Sequence, residues 1–409
     1  MKNIVIIGAG AAGLMAAITS AENKSNKVTL LEKNERAGRK LMITGKGRCN
    51  LCNNCDIEAL MSNIPKNSKF LYSAFSNLTP HSLMDMFETW GVPLKTERGN
   101  RVFPVSDKAV DIVDALVNCA KKIGVKTITA TAEKVLTGEQ KVIGVKLGNG
   151  DIIPADSVIL ATGGMSYPLT GSTGDGYKMA TVLGHTVTEL KPSLVPLTIH
   201  EGFCTKLAGL SLKNVTLSVF EDGKKKPLFS EMGEMLFTHF GISGPLVLSA
   251  SSHIRYMGKK TYTAFIDLKP ALSHEQLDTR ILRDFSEMQN KDFANSLDKL
   301  LPKSLIPVIV KLSNIEPQKK VNQINRQERT ALVNIIKNLP LHITGFRPIE
   351  EAIITSGGIT VKEIDPKTMQ SKLIEGLFFA GEIIDVDAYT GGFNLQIAFS
   401  TGFLAGKNA

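Results

Sequence analysis

The sequence predicts an α/β protein in which a doubly wound parallel sheet is interrupted by an inserted domain. Three observations predict this fold class. Residues 1–32 show a strand, a glycine-rich turn, a helix and a second strand. Segments 157–164 and 376–382 are also apolar runs that end in small-residue turns, as expected for strands of a buried parallel sheet. Between these two segments, residues 191–343 have a different texture, with short β-like runs followed by helical patterns.

The N-terminal segment carries the clearest motif. Lys2–Ile7 has the length and β-branched content of a buried strand, an Ala-rich helix follows to Glu22, and Lys27–Leu31 reads as a second strand. The turn GAGAAG joins the first strand to the helix. Its first glycine permits a tight bend, its second lets backbone amides approach a diphosphate, and its third lets helix and strand pack closely. We therefore expect a dinucleotide-binding βαβ unit whose diphosphate lies at Gly8, Gly10, Ala11, Ala12 and Gly13.

Glu32 ends the second strand, nineteen residues after Gly13. Its carboxylate can accept hydrogen bonds from a ribose diol, and its charge would repel a 2′-phosphate. The alternative for the N-terminal segment is a secretory signal peptide, because Lys2 precedes an apolar, Ala-rich stretch. Three glycines would break a signal helix, however, and the pattern continues into a strand.

Bulk properties indicate an ordinary globular protein. The chain has 409 residues, 43% hydrophobic and 21% charged, so we expect two or three domains. No apolar run is long enough for a transmembrane helix, and a nucleotide fold without a leader indicates the cytoplasm. The net charge is +9, but the basic doublets and triplets are scattered along the sequence. This pattern favours a solvated surface over a nucleic-acid face.

The five cysteines form no disulfide framework. Cys49, Cys52 and Cys55 make a CxxCxxC run, a spacing that can hold an iron–sulfur cluster or zinc. No fourth ligand lies close by, and the nearest histidine is His81. We therefore predict no metal site and interpret the three residues as loop cysteines, one of which could contact a cofactor.

Basic loops follow the second strand and are interleaved with glycines. Such loops suit close passage along a diphosphate, with lysine and arginine opposing its charge; the alternative is a solvated basic loop. The basic residues of this segment are Lys33, Arg36, Arg39, Lys40, Lys46 and Arg48.

Helices are predicted next, and then a return to the sheet. The helical segments are Ser68–Leu78, Pro80–Trp90 and Asp107–Ile123, and β segments follow at 126–132, 141–147 and 151–153. Ser157–Leu160 then reads as a buried strand that ends in Ala161, Thr162 and Gly163, at the sheet edge where ligands bind. A glycine-rich turn at 171–176 opens a helix over Tyr177–Leu183.

The insertion spans 191–343 and divides the first domain into 1–190 and 344–409. It is β-rich over 191–270, with runs at Val195–His200, Ser211–Phe220 and Tyr262–Leu268, and helical over 271–343. Ser273 with Gln276, and Asn325 with Glu328, are capping-box helix starts.

The C-terminal segment resumes the nucleotide-domain pattern. A buried strand ends in Gly381 and Glu382, and Gly392, Asn394, Leu395 and Gln396 lead into a helix at Ile397–Ala405. The N-terminus of such a helix carries partial positive charge and free N–H donors. It can stabilise negative charge on a reduced flavin. The alternative is a glycine-started core helix.

Six motifs in order resemble the bacterial and archaeal FAD-dependent flavoprotein family that includes BaiN, a bile-acid dehydro-steroid reductase, and aminoacetone oxidase. They are GAGAAG at 8–13, GRKLMITGKGRCNL at 38–51, ILATGGMSYPLTGSTGDGY at 159–177, LFTHFGISGP at 236–245, TSGGI at 355–359 and FAGEIIDVDAYTGGFNLQIAFSTG at 379–402. The chain departs from the family at Cys52-Asn53, where relatives usually have Thr-Asn, and at Cys55.

The resemblance implies a Rossmann-like, glutathione-reductase-type domain that holds FAD non-covalently, and an inserted domain that caps the flavin. It places Thr162 and Gly163 near the adenosine, Gly381 and Glu382 near the ribityl and phosphate groups, and Asn394–Gln396 at the isoalloxazine. It also places a loop beside the flavin that consists of Arg39, Lys40, Thr44, Gly45, Arg48, Cys49 and Asn50.

The function hypothesis is an FAD-dependent oxidoreductase that moves a hydride between a small organic substrate and FAD. Only one GxGxxG is present, so NAD(P)H would bind transiently or be replaced by a partner such as oxygen. No residue is predicted as the catalytic acid or base; His239 and Tyr167 are candidates for carrying a proton, and a structural role is more frequent for each. The alternatives are an RNA-binding or RNA-modifying flavoprotein and an NAD-dependent dehydrogenase without flavin.

Overall fold

The structure, a computed structural model, describes residues 1–409. Two units divide the chain: residues 1–193 with 349–409, and residues 194–348. These divisions lie three residues after the first boundary expected from the sequence, at 190, and five residues after the second, at 343.

The strands are, in chain order, β1 (Asn3–Ile7), β2 (Lys27–Glu32), β3 (Cys52–Asn53), β4 (Leu94–Glu97), β5 (Arg101–Pro104), β6 (Lys126–Thr129), β7 (Ala132–Gly138), β8 (Lys141–Leu147), β9 (Ile152–Pro154), β10 (Ser157–Leu160), β11 (Lys191–Ser193), β12 (Leu197–Ile199), β13 (Ser211–Glu221), β14 (Phe229–Thr238), β15 (Gly241–Ser243), β16 (Tyr262–Asp267), β17 (Leu339–Phe346), β18 (Ile354–Ser356) and β19 (Leu377–Phe379).

The α-helices are α1 (Ala11–Glu22), α2 (Arg39–Ile43), α3 (Ile57–Ser62), α4 (Tyr72–Asn77), α5 (Pro80–Thr89), α6 (Ala109–Lys122), α7 (Asp175–Val182), α8 (Phe203–Lys206), α9 (Pro245–Ser251), α10 (His274–Ser286), α11 (Ile306–Leu312), α12 (Arg326–Lys337) and α13 (Phe393–Asn408). None of these helices is both long enough and apolar enough to cross a lipid bilayer.

The first unit is organised around a parallel sheet of five strands in the order β19-β10-β1-β2-β6. Strands β1, β10 and β19 are almost wholly buried, which explains why they read as continuous apolar runs and not as alternating ones. Because all five strands run the same way, the turns that follow β1, β2, β10 and β19 lie at one edge of the sheet. The predicted α/β, doubly wound fold is confirmed.

Helices α1 and α13 pack with close backbone contact in this unit. A Cβ atom at Gly402 would lie 2.3 Å from the Ala12 carbonyl oxygen, and one at Gly406 would lie 2.4 Å from the Ala16 carbonyl oxygen. Ser20 Oγ also donates to the Gly406 carbonyl at 3.1 Å. The alanines of α1 and the glycines of α13 therefore bring the two ends of the chain together, since a larger side chain at either glycine would separate the helices.

The second unit contains a closed antiparallel barrel with the strand order β12-β15-β14-β13-β16-β17. Along β13 the buried residues Val215, Leu217 and Val219 alternate with less buried ones and form part of the unit's own core. Helices α10 and α12 begin with the two capping boxes that the sequence predicted, at Ser273 and Asn325. The predicted order of the insertion, β-rich and then helical, is observed except at its end. Residues 339–343, expected to be helical, belong to strand β17, which returns to the barrel and pairs with β12 and β16.

Helices α5, α6 and α7 lie within two residues of their predicted bounds, and two other helical segments differ by more. The segment 68–78 forms a 3₁₀ turn, Ser68–Leu71, followed by α4, and so is not one continuous helix. Helix α13 begins at Phe393, four residues before the predicted start at Ile397, because Gly392 adopts φ +101° and caps the helix there.

Candidate functional site

The turn after β1 is closed to side chains at two of its glycines and open at the third. Gly8 has φ +104°, and a Cβ there would lie 2.6 Å from the Ala161 carbonyl oxygen. A Cβ at Gly13 would lie 1.8 Å from the Gly8 carbonyl oxygen. At Gly10, by contrast, a Cβ would meet no protein atom within 4 Å. Gly8 and Gly13 are therefore required by packing, whereas Gly10 faces open space.

Helix α1 presents its N-terminus at this open space. Gly10 is its N-cap, no side chain hydrogen-bonds to the cap, and the first turn contains no acidic residue. The positive end of the helix dipole is therefore not neutralised by the protein itself, which suits a diphosphate that accepts from the N–H groups of the first turn. The predicted sites at Ala11 and Ala12 belong to that turn.

Glu32 at the end of β2 contacts the same turn. Its Oε2 accepts from Ala9 N at 2.9 Å, and its Oε1 accepts from Asn34 N at 2.9 Å and from Asn34 Nδ2 at 2.7 Å. Each carboxylate oxygen has two lone pairs. Glu32 therefore fixes the orientation of the turn. Its Oε2 can still accept one more hydrogen bond, from the ribose diol that the sequence predicts.

The predicted basic loop residues form contacts within the protein. Lys33 Nζ lies 2.7 Å from Asp175 Oδ2 and 2.6 Å from Thr173 Oγ1, and Arg39 donates to Asn34 Oδ1 at 2.9 Å. Asp175 also places a negative charge in the first turn of α7, so this helix start is unsuited to an anion. Recognition of a diphosphate by these side chains stays a prediction.

Lys40 belongs to a partly buried network with Glu382. Its Nζ lies 2.6 Å from Glu382 Oε2 and 2.6 Å from Ser166 Oγ, while Glu382 Oε1 accepts from Ser166 Oγ at 3.1 Å and from Thr355 N at 2.8 Å. The side chains of Lys40 and Glu382 are 23% and 13% exposed. The network joins four of the sequence motifs at one edge of the sheet, and it fixes where the Glu382 carboxylate points.

Arg48 is held by two carboxylates and an aromatic ring. It pairs with Glu97 and with Asp107, whose Oδ1 lies 2.8 Å from Arg48 Nε, and its guanidinium lies 4.1 Å from the centre of the Phe103 ring. Hydrogen bonds to Glu97 and Asp107 raise the pKa of Arg48 above its ordinary value. The side chain thus anchors its loop.

The loop that precedes Arg48 has an unusual backbone. Gly45, Lys46, Gly47 and Cys49 all have φ between +56° and +83°. A left-handed conformation at Lys46 and Cys49 is strained, and such strain is concentrated at functional sites. The loop is held by Thr44, whose carbonyl accepts from Cys49 N at 3.0 Å and whose Oγ1 donates to Leu41 O at 2.7 Å.

The same loop contacts the start of α13. Asn50, with its amide nitrogen 3.2 Å from the Cys52 carbonyl, accepts from Gly392 N at 3.0 Å. Asn53 Nδ2 donates to the Gly391 carbonyl at 3.0 Å, and a Cβ at Gly392 would lie 2.3 Å from the Cys52 carbonyl oxygen. The 38–51 and 379–402 motifs therefore form one continuous structure.

The cysteine run shows the features of structural residues. Cys49 and Cys52 are buried and Cys55 is half-buried, and none of the three is in a disulfide. Burial raises the pKa of Cys49 to about 12 and also raises the pKa of Cys52. Since the thiolate is the nucleophile and the metal ligand, such thiols are poor in both roles. The half-buried Cys55 also has a raised pKa, to about 11.

The turn after β10 lies beside Gly8. Ala161 packs against it, Gly163 has φ +73°, and the buried Oγ1 of Thr162 has no hydrogen-bond partner in the protein. A buried hydroxyl without a partner is costly. This hydroxyl lies against Gly176 of α7, where a Cβ would be 2.0 Å from it. This is an observation that sequence reasoning at Thr162 could not supply.

At the C-terminal segment the predicted side chains, and the N–H of Gly381, are engaged within the protein. Gly381 has φ +77° and donates its N–H to Thr401 Oγ1 at 2.9 Å. Asn394 exchanges hydrogen bonds with Ala388 N and O, both at 2.8 Å. Gln396 is buried and donates to Leu78 O at 2.9 Å, with its Oε1 unpartnered. The predicted contacts of Asn394, Leu395 and Gln396 with an isoalloxazine therefore stay a prediction, with the backbone N–H groups of the first turn of α13 as the donors.

Asp385 was missed by the sequence reasoning. It is 3% exposed, its Oδ2 pairs with Lys66 Nζ at 2.6 Å, and its Oδ1 has no partner. Its position six residues after the β19 strand, within the 379–402 motif, was a signal that could have found it.

The two candidate proton carriers differ in their surroundings. Tyr167 has φ +52° and is half-buried, and burial, with the charge of Glu351, raises its pKa. His239 lies in the second unit, is exposed, and stacks edge-on against Phe240. Neither geometry by itself assigns a catalytic role.

A buried Ser–His–Glu arrangement occurs at His185. Its Nδ1 lies 3.1 Å from Glu363 Oε2 and its Nε2 lies 2.9 Å from Ser371 Oγ. Ser371 Oγ already accepts from the backbone N–H groups of Leu373 and Ile374, at 3.0 and 2.9 Å, and Ser371 is buried. A nucleophilic serine needs free lone pairs and access, so this arrangement is structural.

The residues present fit FAD. Gly10 opens onto space at an uncapped helix N-terminus, and the unpartnered buried oxygens of Thr162, Asp385 and Gln396 belong to the same unit. Buried polar atoms are normally satisfied, so several orphaned atoms in motif residues indicate a polar ligand.

Comparison with known proteins gives consistent results. A family model described as the HI0933-like protein Rossmann domain matches residues 2–408. The chain is 31% identical to the 3-dehydro-bile acid delta(4,6)-reductase of Clostridium scindens over 414 residues, covering 100% of this chain and 99% of the relative. It is also 31% identical to the ribosomal RNA dihydrouridine synthase of Escherichia coli over 409 residues, covering 99% and 97%. Among solved structures, 3-ketosteroid delta1-dehydrogenase from Sterolibacterium denitrificans has a TM-score of 0.52 at 14% identity, covering 99% of both chains, which shows the fold alone.

Proposed function

The chain belongs to the HI0933-like family of FAD-binding Rossmann-domain oxidoreductases, and from that premise we propose that it reduces a carbon–carbon double bond conjugated to a carbonyl group. The observation that carries the proposal is a chemical feature shared by two relatives of different name. A 3-dehydro steroid with delta(4,6) unsaturation and a uracil base both contain such a double bond. Both relatives are similar to this chain over nearly its whole length.

The reaction adds a hydride to the β-carbon of the substrate and a proton to its α-carbon, so that the double bond is saturated and two electrons are consumed. FAD, when bound and reduced, supplies the hydride. The chain's part is to hold the diphosphate at the N-terminus of α1, to bind a ribose at Glu32, and to fix the Glu382 carboxylate through Lys40. The N–H groups at the start of α13 supply donors for negative charge on the ring system.

We infer that NAD(P)H delivers the electrons without a binding domain of its own. The single GxGxxG motif supports the absence of a separate domain, since a second nucleotide fold of the disulfide-reductase type is missing from the sequence. The use of NAD(P)H itself is what the comparison of reductants below tests. Electron transfer through a cysteine pair by disulfide exchange is a poor alternative to NAD(P)H. Cys49 and Cys52 are buried and have raised pKa values, so neither thiol is readily deprotonated.

The experiment is an anaerobic half-reaction. The purified protein is reduced with dithionite, mixed with a 4-en-3-one steroid, and the return of the oxidised flavin absorption band is followed; the saturated 3-ketone is the control. We expect reoxidation by the unsaturated compound alone. A colourless protein that cannot be reconstituted with FAD, or a reduced flavin that only oxygen reoxidises, would contradict the proposal. NADH and NADPH are compared as reductants in the same apparatus.

A second form of the function is reduction of uracil in RNA, favoured by the relative named ribosomal RNA dihydrouridine synthase. It predicts that RNA incubated with the protein and NADPH gains the mass of two hydrogens at one uridine. RNA that lacks this gain, alongside turnover of a steroid enone, would leave the small-molecule reductase as the function.

A further inference from the structure

Two basic segments that are distant in sequence meet at one end of the barrel. The hairpin between β13 and β14 contains Lys224–Lys226, and the loop before β16 contains Arg255, Lys259 and Lys260. Strand β13 pairs with β16 so that Glu221 lies opposite Tyr262, and Asp222 N donates to Thr261 O at 3.0 Å. The two loops therefore emerge side by side. We call residues 221–228 and 255–261 the basic barrel end.

The basic barrel end is exposed and carries a net positive charge. It contains six basic residues and two acidic ones. Lys224–Lys226, Arg255 and Lys259 are all exposed. One acidic residue, Glu221, accepts from Lys260 Nζ at 2.7 Å, and the other, Asp222, accepts from Thr263 Oγ1 at 2.8 Å. Most of the cationic groups are thus available for an anionic partner.

An aromatic side chain lies among these charges. Tyr256 is 54% exposed, and Lys260 Nζ lies 5.0 Å from the centre of its ring. Its backbone is fixed, because Tyr256 N donates to Tyr262 Oη at 3.3 Å and Tyr256 O accepts from Lys259 N and Lys260 N, both at 3.0 Å. A tyrosine ring on a fixed backbone has only two side-chain torsions to restrict, so it costs little entropy when another planar group stacks on it.

We propose that the basic barrel end binds RNA, with phosphates at Lys224–Lys226, Lys259 and Arg255 and an unpaired base stacked on Tyr256. Proteins that bind single-stranded nucleic acids combine positively charged side chains along the phosphate backbone with aromatic side chains on which bases stack. An anionic membrane surface would attract the same cations, but it offers no planar group to stack on the Tyr256 ring. Tyr256 is the one exposed large hydrophobic residue of these two loops. The inference goes beyond the proposed function by assigning an RNA-binding surface, and it rests on the second form of that function only for what happens to the bound RNA.

This surface changes the interpretation of the charge. In the sequence the basic clusters are separate, and Lys226 and Lys259 are more than thirty residues apart. The antiparallel pairing of β13 with β16 brings them to one place, so the positive charge is locally concentrated in a way that the linear sequence conceals.

The test uses the FAD-loaded full-length protein and a short single-stranded oligouridylate labelled with fluorescein, with anisotropy measured at several salt concentrations. The charge variant is K224A/K225A/K226A. Its matched control is K121A/K122A/K126A, which removes three exposed lysines from one segment of the first unit. Losing three phosphate contacts should make the negative slope of log K against log salt shallower by about 2, and weaken binding about a hundredfold near 0.1 M salt.

A second pair of variants examines the aromatic platform. Tyr256→Ala should weaken binding about 5- to 150-fold, the range for loss of one stacked base, and leave the salt slope unchanged. Tyr256→Trp should retain the affinity, because it keeps a stacking surface. Melting curves of all variants confirm that the exposed substitutions leave the protein folded.

Several outcomes would overturn the inference. They are the absence of RNA binding by the wild-type protein, equal loss of binding in K224A/K225A/K226A and its control, and binding to phosphatidylserine vesicles in place of RNA. Because the assay measures binding without turnover, its failure leaves the anaerobic enone assay to judge the proposed reduction independently.

Discussion

Replacing Gly10 by alanine separates ligand binding from stability more cleanly than any other change in the turn. Gly10 has φ −83° and ψ −168°, an extended conformation that alanine adopts readily, and the added Cβ would meet no protein atom within 4 Å. It would instead occupy the space in front of the α1 N-terminus. The substitution should therefore spare the apoprotein and obstruct FAD.

The magnitudes follow from the two environments. In the apoprotein, alanine reduces the entropy of the unfolded chain, which stabilises the folded state by about 0.4–1 kcal/mol. Alanine is also a poorer N-cap than glycine, and this destabilises the folded state by a similar amount. The net change should stay within about 1 kcal/mol, or about 4 °C in Tm for a unit of this size. For FAD, the loss of one hydrogen bond to a charged phosphate oxygen is worth about 1.5–3 kcal/mol, which weakens binding about 10- to 150-fold.

The assay is a titration of each apoprotein with FAD, followed by quenching of flavin fluorescence, with thermal unfolding measured by circular dichroism. Gly202→Ala is the matched control, because Gly202 is also a helix N-cap with negative φ and nothing within 4 Å of a Cβ. Gly13→Ala is the opposite reference: its Cβ would lie 1.8 Å from a backbone oxygen, and the apoprotein itself should lose about 1–3 kcal/mol or more of stability.

Two results would refute the reasoning. If the Gly10→Ala apoprotein is as unstable as the Gly13→Ala apoprotein, Gly10 is required by the fold and not by a ligand. If Gly10→Ala binds FAD as tightly as the wild type, the diphosphate does not lie at the N-terminus of α1.

Three further predictions concern other parts of the first unit. Lys40→Met leaves the Glu382 carboxylate without its cation and should destabilise the apoprotein by about 2–3 kcal/mol in urea unfolding, with the Lys40→Met/Glu382→Gln double variant recovering part of the loss; additive effects would show that the pair is not coupled. Cys49 and Cys52 are buried with raised pKa values, so at pH 8 the native protein should expose fewer thiols to a disulfide reagent than the five released in denaturant, and rapid labelling of either cysteine would contradict the structure. Burial lowers the pKa of His185, against an opposing effect of its carboxylate partner, so the folded state prefers the neutral ring, and its contribution is present above the unfolded pKa of 6.5 and lost as pH falls below that value. The free energy of unfolding should therefore decrease between pH 6.5 and 5 by up to about 1.4 kcal/mol per pH unit for this group, and a His185→Gln variant that keeps the same slope would show that another residue titrates.

The sequence alone determined the elements whose chemistry is local. Several elements depend only on residues a few positions apart in the sequence. They are the turn at Gly8–Gly13, the strand ends at Ala161 and Gly381, and the capping boxes at Ser273 and Asn325. A glycine that must adopt positive φ, or a serine that must accept from the third N–H of a helix, leaves a mark within a short window. For that reason the fold class could be predicted from spacing.

Only the tertiary structure decided which distant groups meet. Lys40 reaches Glu382 across 342 positions, the Asn394 and Gln396 amides turn into the protein, and β13–β16 pairing gathers Lys224–Lys226 with Lys259. These contacts depend on strand register and on the distance at which helices pack, and neither is encoded in the periodicity of any one segment. The sequence thus determined where a nucleotide turn begins, while packing between the two ends of the chain decided which atoms remain unpaired to receive a ligand.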